Sequence, residues 1–146
     1  MAEDDPDDRL LAKEALAASD FLYRLDFVED GAALMDYLYR RHEYERLKET
    51  PYPSLILLDL HMPKISGMDA LGEIKANPLF RRIPTIILTD SDQEDDVLRS
   101  YDMGANSFIT KSVALDSMME LIQEIGRYWL GVVELPSEPV TPPPTS

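Results

Sequence analysis

Leu55-Ile56-Leu57-Leu58-Asp59 is the stretch that decides the fold. Four consecutive aliphatic residues that stop at a carboxylate are the pattern of a short strand buried on both faces, as in a parallel sheet covered by helices. Thr85-Ile86-Ile87-Leu88-Thr89 repeats the pattern, and Ser107 to Thr110 is a third, shorter strand. Between them lie segments of helical spacing: Gly67 to Ala76, stopped by Asn77-Pro78, and Gln93 to Met103, with Gly104 as its C-cap. Strands that alternate with helices in this way build βαβ units.

The same alternation extends outward in both directions. Upstream, Pro6 to Ser19 carries Leu10, Leu11, Ala15 and Leu16 at helical spacing, with acidic residues at the start where they suit the helix dipole. Tyr23 to Val28 alternates like a strand, and Gly31 to Thr50 reads as one long helix that Pro51 and Pro53 stop. Downstream, Val113 to Leu130 is an amphipathic final helix. Five of the eleven prolines fall in the last eleven residues, so residues 1–135 are expected to form the folded domain and 136–146 a solvated, proline-rich tail. The helix that starts at Pro6 is preceded only by a fragment of a strand, Met1-Ala2.

The 146 residues suffice for one core. A net charge of −14 disfavours nucleic acid and anionic membrane surfaces as partners. No apolar run reaches the roughly 18 to 20 residues that a bilayer span needs, and the N-terminus lacks signal-peptide character, so a cytoplasmic protein is expected. With no cysteine and two isolated histidines, His42 and His61, a bound metal has to be held mainly by oxygen.

Ligands of open parallel sheets bind at the carboxyl ends of the strands. Those ends carry Glu3-Asp4-Asp5, Asp59, Thr89 and Lys111. Carboxylates gathered there repel one another, and a hard divalent cation such as Mg²⁺ relieves the repulsion. A carboxylate that faces an ammonium and a hydroxyl is placed to attack a phosphoryl group, which makes Asp59 the candidate nucleophile.

At this point the chain resembles the receiver domain of two-component response regulators, over about residues 1 to 130. The resemblance is carried by Glu3-Asp4-Asp5-Pro6, by Leu57-Leu58-Asp59-Leu60-His61-Met62-Pro63 with Gly67, by Ile87-Leu88-Thr89 and by Gly104-Ala105-Asn106-Ser107-Phe108-Ile109-Thr110-Lys111. It implies a flavodoxin-like (βα)5 fold, a doubly wound α/β parallel sheet of strand order 2-1-3-4-5. It also implies phosphorylation of Asp59 by a partner histidine kinase, with Mg²⁺ held by Glu3, Asp4, Asp59 and the backbone carbonyl of His61. Lys111 would pair with the phosphoryl group, Thr89 would move to bond it, and Phe108 would turn inward, altering the face made by the fourth helix, fifth strand and fifth helix. Such a protein catalyses its own phosphorylation and dephosphorylation only, and is no enzyme in the ordinary sense. The extension Arg40 to Thr50 and the ending Arg127 to Pro136 look like the single-domain regulators associated with phytochromes, so the signal would leave by protein contact or onward phosphotransfer.

Other readings stand beside this one. Ser112 follows Lys111 where the family normally has proline, which motivates a receiver-like interaction module that no longer responds to phosphate. That peptide is expected to be either a costly cis bond or a trans bond that displaces the ammonium. An aspartyl-phosphate phosphatase would want a carboxylate where His61 stands, and the scattered glycines offer no dinucleotide loop. Tyr128, Trp129, Val132 and Val133 suggest a homodimer face, with Trp129 equally compatible with a core role. Met1-Ala2 is expected to be the stub of the first strand, the natural chain starting several apolar residues upstream.

Overall fold

The computed structural model describes residues 1–18, 24–111 and 118–136. Its centre is a parallel sheet of β1 (Ile56–Leu58), β2 (Thr85–Thr89) and β3 (Ser107–Thr110), in that spatial order. Ile56, Leu58 and Ile87 enter one apolar cluster, whereas Leu57, Ile86 and Leu88 enter another. This two-residue alternation explains why the strands are apolar throughout: each face of the sheet carries its own helical layer.

On one face lie α2 (Gly31–Tyr39) and α3 (Gly67–Ala76), whose Leu34, Met35, Leu38, Leu71 and Ile74 pack with Phe80 against the sheet. The helix α4 (Glu94–Asp102) joins this side through Ser100, whose hydroxyl lies 3.9 Å from the Met68 sulfur. On the other face α1 (Pro6–Ala17) and α5 (Met118–Gly131) pack through Ala12, Ala15, Leu121, Ile122 and Ile125. Helices on both sides make the sheet doubly wound, as the sequence implied. α1 starts at Pro6 because Asp5 caps it, accepting from the Asp7 N–H at 2.9 Å.

The first two strands are the main departure. Neither Met1-Ala2 nor the described part of the segment ending at Val28 forms a strand; Ala2 makes two isolated parallel bridges, one to Val28 and one to Leu58. Backbone hydrogen bonds nonetheless put residues 1–3 in the row between them: Glu3 N–H donates to Val28 O, Ala2 N–H to Leu57 O, and Asp59 N–H to Ala2 O. Across the molecule the order is therefore Val28, Ala2, β1, β2, β3, which is 2-1-3-4-5 with its first two members reduced to bridges. Residues 1–3 bond this segment at Met1 N to Asp26 O (2.8 Å), Val28 N–H to Met1 O (3.0 Å) and Glu3 N–H to Val28 O (3.0 Å), so the strand expected over Tyr23 to Val28 is reduced to one bridge among the described residues.

The long helix expected over Gly31 to Thr50 is also corrected. α2 ends at Tyr39 because Arg40 turns left-handed (φ 57°, ψ 44°), and a separate 3₁₀ turn covers His42–Leu47. The buried Arg40 guanidinium holds this break, donating to Tyr37 O at 2.8 Å, Pro51 O at 3.0 Å and Thr50 O at 3.3 Å. Gly104, φ +104°, follows the C-cap Met103 and lets α4 turn into β3. Pro136 is exposed, and the rest of the expected tail, the start of the final helix and Ser112 lie outside the described residues. Among the described residues no helix is long and apolar enough to cross a membrane.

Candidate functional site

Parallel strands direct all their carboxyl ends to one edge, and the register does the rest. Thr89 pairs with Thr110, and the Lys111 N–H donates to Thr89 O at 2.8 Å, so β2 and β3 deliver Thr89 and Lys111 side by side. Asp59 leaves the end of β1, and Glu3 leaves the short row beside it. Gly67 lets α3 approach this corner: a Cβ there would lie 2.0 Å from the Asp59 carbonyl oxygen, and the Gly67 N–H donates to Leu60 O at 2.9 Å.

Glu3, Asp4 and Asp59 each offer a carboxylate oxygen, all within 4.8 Å of one another. Glu3 and Asp59 are buried while Asp4 is exposed. The Lys111 ammonium sits among the acids, in contact with Glu3 Oε1, 2.7 Å from Asp8 Oδ2 and 3.4 Å from Asp59 Oδ2. Secondary contacts fix the backbone around them. His61 N–H donates to Asp59 Oδ1 at 3.2 Å, Asp5 N–H to Glu3 Oε2 at 3.3 Å, and the Arg9 guanidinium to Glu3 O at 2.8 Å.

Burial, reinforced by the neighbouring Asp59, pushes the Glu3 carboxyl up to about 8 against the pull of Lys111. Burial alone would lower the Lys111 ammonium, but hydrogen bonds to Asp8 and Glu3 and the charge of Asp59 hold it above its ordinary value. The cluster thus brings three carboxyl groups, those of Glu3, Asp8 and Asp59, onto one ammonium. Its donors are all carboxylate oxygens, the set that a hard divalent cation prefers over a soft one, so the residues present fit Mg²⁺ chemistry.

The residues singled out from sequence divide accordingly. Glu3, Asp4, Asp59 and Lys111 come together. Thr89 lies buried at the same strand edge, its hydroxyl accepting from Ser91 N–H at 3.4 Å. The His61 side chain is exposed and outside the acid group, which leaves its backbone as the part that borders the site. Phe108 is half-buried against the sheet cluster, and its N–H donates to the Tyr101 hydroxyl at 3.2 Å. Trp129 is half-buried against the cluster between α1 and α5, while its edge-on neighbour Tyr128 is exposed. Asp8 was missed. In sequence it is one of several acids at a helix start, and only its place at the third helical position of α1, facing Lys111, marks it out.

The family described as the response regulator receiver domain matches residues 1–123. Among known proteins, the response regulator Rcp1 of Synechocystis sp. is 42% identical over 137 residues, covering 94% of this chain and 91% of that protein. A crystal structure of the Mn²⁺-bound form of Rcp1 superimposes with a TM-score of 0.85 at 42% identity, covering 93% of this chain and 96% of that one. The phosphorylated cyanobacterial phytochrome response regulator RcpA gives a TM-score of 0.85 at 40% identity, with 93% and 95% covered.

Proposed function

The chain belongs to the response regulator receiver family, and from that footing we propose that Asp59 is its phosphoacceptor, taking a phosphoryl group from the phosphohistidine of a histidine kinase. The observation that carries the assignment is the Asp59 carboxylate at the end of β1, buried between Glu3 and the Lys111 ammonium. In the transfer an Asp59 oxygen attacks phosphorus in line. A P–O bond forms as the P–N bond breaks, and the imidazole leaves with the electron pair. Water attacking the same phosphorus later releases phosphate and returns the carboxylate, so turnover is confined to the protein's own acyl phosphate.

Glu3, Asp4, Asp59 and the His61 carbonyl would hold the divalent cation, Mg²⁺ in this reading, which when bound supplies neutralising charge for the phosphoryl oxygens. Lys111 supplies a second positive charge to those oxygens, and the Thr89 hydroxyl supplies a hydrogen bond. Withdrawal of Thr89 toward the phosphoryl group makes room for Phe108 to turn inward, changing the face of α4, β3 and α5. The names of the relatives support a phytochrome-type kinase as donor. A cytoplasmic location and the absence of a nucleic-acid ligand belong to the same reading, in keeping with the charge of −14.

A homodimer through the α4, β3 and α5 face is part of the proposal, supported by the exposure of Leu98, Tyr101, Tyr128 and Val132. Sedimentation at tens of micromolar, with and without a phosphoryl mimic, tests it; monomer in both conditions rejects it.

The assignment of Asp59 is tested by labelling with a small phosphodonor in the presence of Mg²⁺. Wild type should label, and Asp59→Asn or excess chelator should abolish labelling. Undiminished labelling of the variant overturns the assignment.

A further inference from the structure

We propose that Asp8 is a positioning residue, a reserve counter-ion that keeps the Lys111 ammonium in the site when a divalent cation takes over Glu3 and Asp59. The inference rests on the metal-dependent phosphoacceptor reading above and adds a residue to it.

Lys111 contacts three carboxylates, those of Glu3, Asp8 and Asp59. Two of them belong to the trio that would hold the cation; Asp8 does not. A dication bound to Glu3 and Asp59 repels an ammonium on the same oxygens, so the two cations cannot both keep those contacts at full strength. The Lys111 side chain is only 5% exposed, and its ammonium needs a partner if it is to remain in the pocket. Asp8 meets that need at 2.7 Å.

Its carboxylate is available because capping of α1 is done by Asp5, and the Glu3 carbonyl is engaged by Arg9. It is also fixed, since it stands in the first turn of a helix packed on α5 through Ala12 and Ala15. Asp8 thereby lets Lys111 release Glu3 and Asp59 without leaving the place from which it can reach a phosphoryl oxygen on Asp59. Without Asp8 the ammonium has only the cation's own ligands to hold, and it competes with the cation for them.

The test compares wild type, Asp8→Asn and Asp8→Glu by two readouts that do not depend on phosphorylation. In calorimetric titration with Mg²⁺, Asp8→Asn should bind at least about fivefold more weakly, the lower end of typical coupling between two sites, and Asp8→Glu should recover most of the loss. In ¹⁵N NMR at low temperature the protected Lys111 ammonium signal should be present in all three proteins without Mg²⁺. Saturating Mg²⁺ should leave it in wild type and Asp8→Glu and remove it in Asp8→Asn. Unchanged affinity in Asp8→Asn, or a Lys111 signal that survives Mg²⁺ there, overturns the role of Asp8 while leaving the phosphoacceptor reading intact. Failure of wild type to bind Mg²⁺ overturns both.

Discussion

Glu3 and Lys111 are 108 positions apart in the chain and meet as a buried ion pair, with the Glu3 side chain 1% and the Lys111 side chain 5% exposed. The pair ties the first residues of the chain to the end of β3 across the carboxyl edge of the sheet. The Lys111 ammonium also contacts Asp8 and Asp59, which holds the acid cluster together.

Replacing that ammonium should therefore expose the repulsion. Lys111→Met is expected to lower stability by about 3 kcal/mol in chelator, the range for a buried charge network that loses one partner. Saturating Mg²⁺ should restore more stability to the variant than it adds to wild type, because the cation no longer has a competitor. Urea unfolding in chelator and in Mg²⁺ measures both quantities.

Asp26 should give an acid-sensitive contribution to stability. The Tyr37 hydroxyl donates to Asp26 Oδ2 at 2.7 Å, and the hydrogen bonds from Tyr37 and Arg24 outweigh burial and hold the carboxyl below its ordinary value. A depressed carboxyl stabilises the fold above its unfolded value, about 3.9, and the contribution disappears as pH falls through the folded value. Tyr37→Phe is expected to cost about 1 kcal/mol at pH 7, the modest net worth of a partly solvated hydrogen bond. The cost should shrink as pH falls through the depressed folded value of Asp26, which denaturant titrations across the acid range would show.

Arg40 is expected to be a stability residue with no part in phosphorylation. Its guanidinium binds three carbonyls and lies over the rings of Tyr37 and Tyr52 at 4.9 and 5.2 Å. Arg40→Ala removes the donors to those carbonyls and the cation over the two rings, and should cost about 3 kcal/mol. Arg40→Lys should recover only part, since an ammonium cannot reproduce the planar fork. Thermal melts paired with phosphodonor labelling of the surviving folded protein would separate the two effects.

Gly67→Ala should damage both fold and site. Its new methyl group would meet the backbone of Asp59 and Leu60, which cannot swing aside as a flexible side chain does. A loss of about 2 to 3 kcal/mol is expected for this overpacking. Mg²⁺ affinity should fall with it, because the segment that must shift carries Asp59. Calorimetry on the folded variant checks the second part.

The strands β1, β2 and β3 and helix α3 were legible in the sequence to within a residue at each end. Their signal is local: uninterrupted aliphatic runs for strands with two covered faces, and apolar spacing bounded by Ser66-Gly67 and Asn77-Pro78 for the helix. The residues destined for the site were legible for a related reason, because a parallel sheet sends every strand end to the same edge. The polar residues at those ends, Glu3, Asp59, Thr89 and Lys111, could be assembled on topology alone.

Tertiary structure decided what depends on partners distant in sequence. The helical pattern from Gly31 to Thr50 is continuous, and nothing local marks Arg40 as its end; the break exists because the Thr50 and Pro51 carbonyls return to bind that guanidinium. The strand pattern before Val28 is likewise sound by itself, yet among the described residues its pairing is limited to one bridge at Val28 and hydrogen bonds to residues 1–3. Asp8 could not be told from the acids around it until α1 was packed on α5 and β3 had delivered Lys111 to its carboxylate. Periodicity and strand-end chemistry are properties of short stretches and survive in the sequence, whereas a hydrogen bond or ion pair between residues tens of positions apart exists only once the chain has closed on itself.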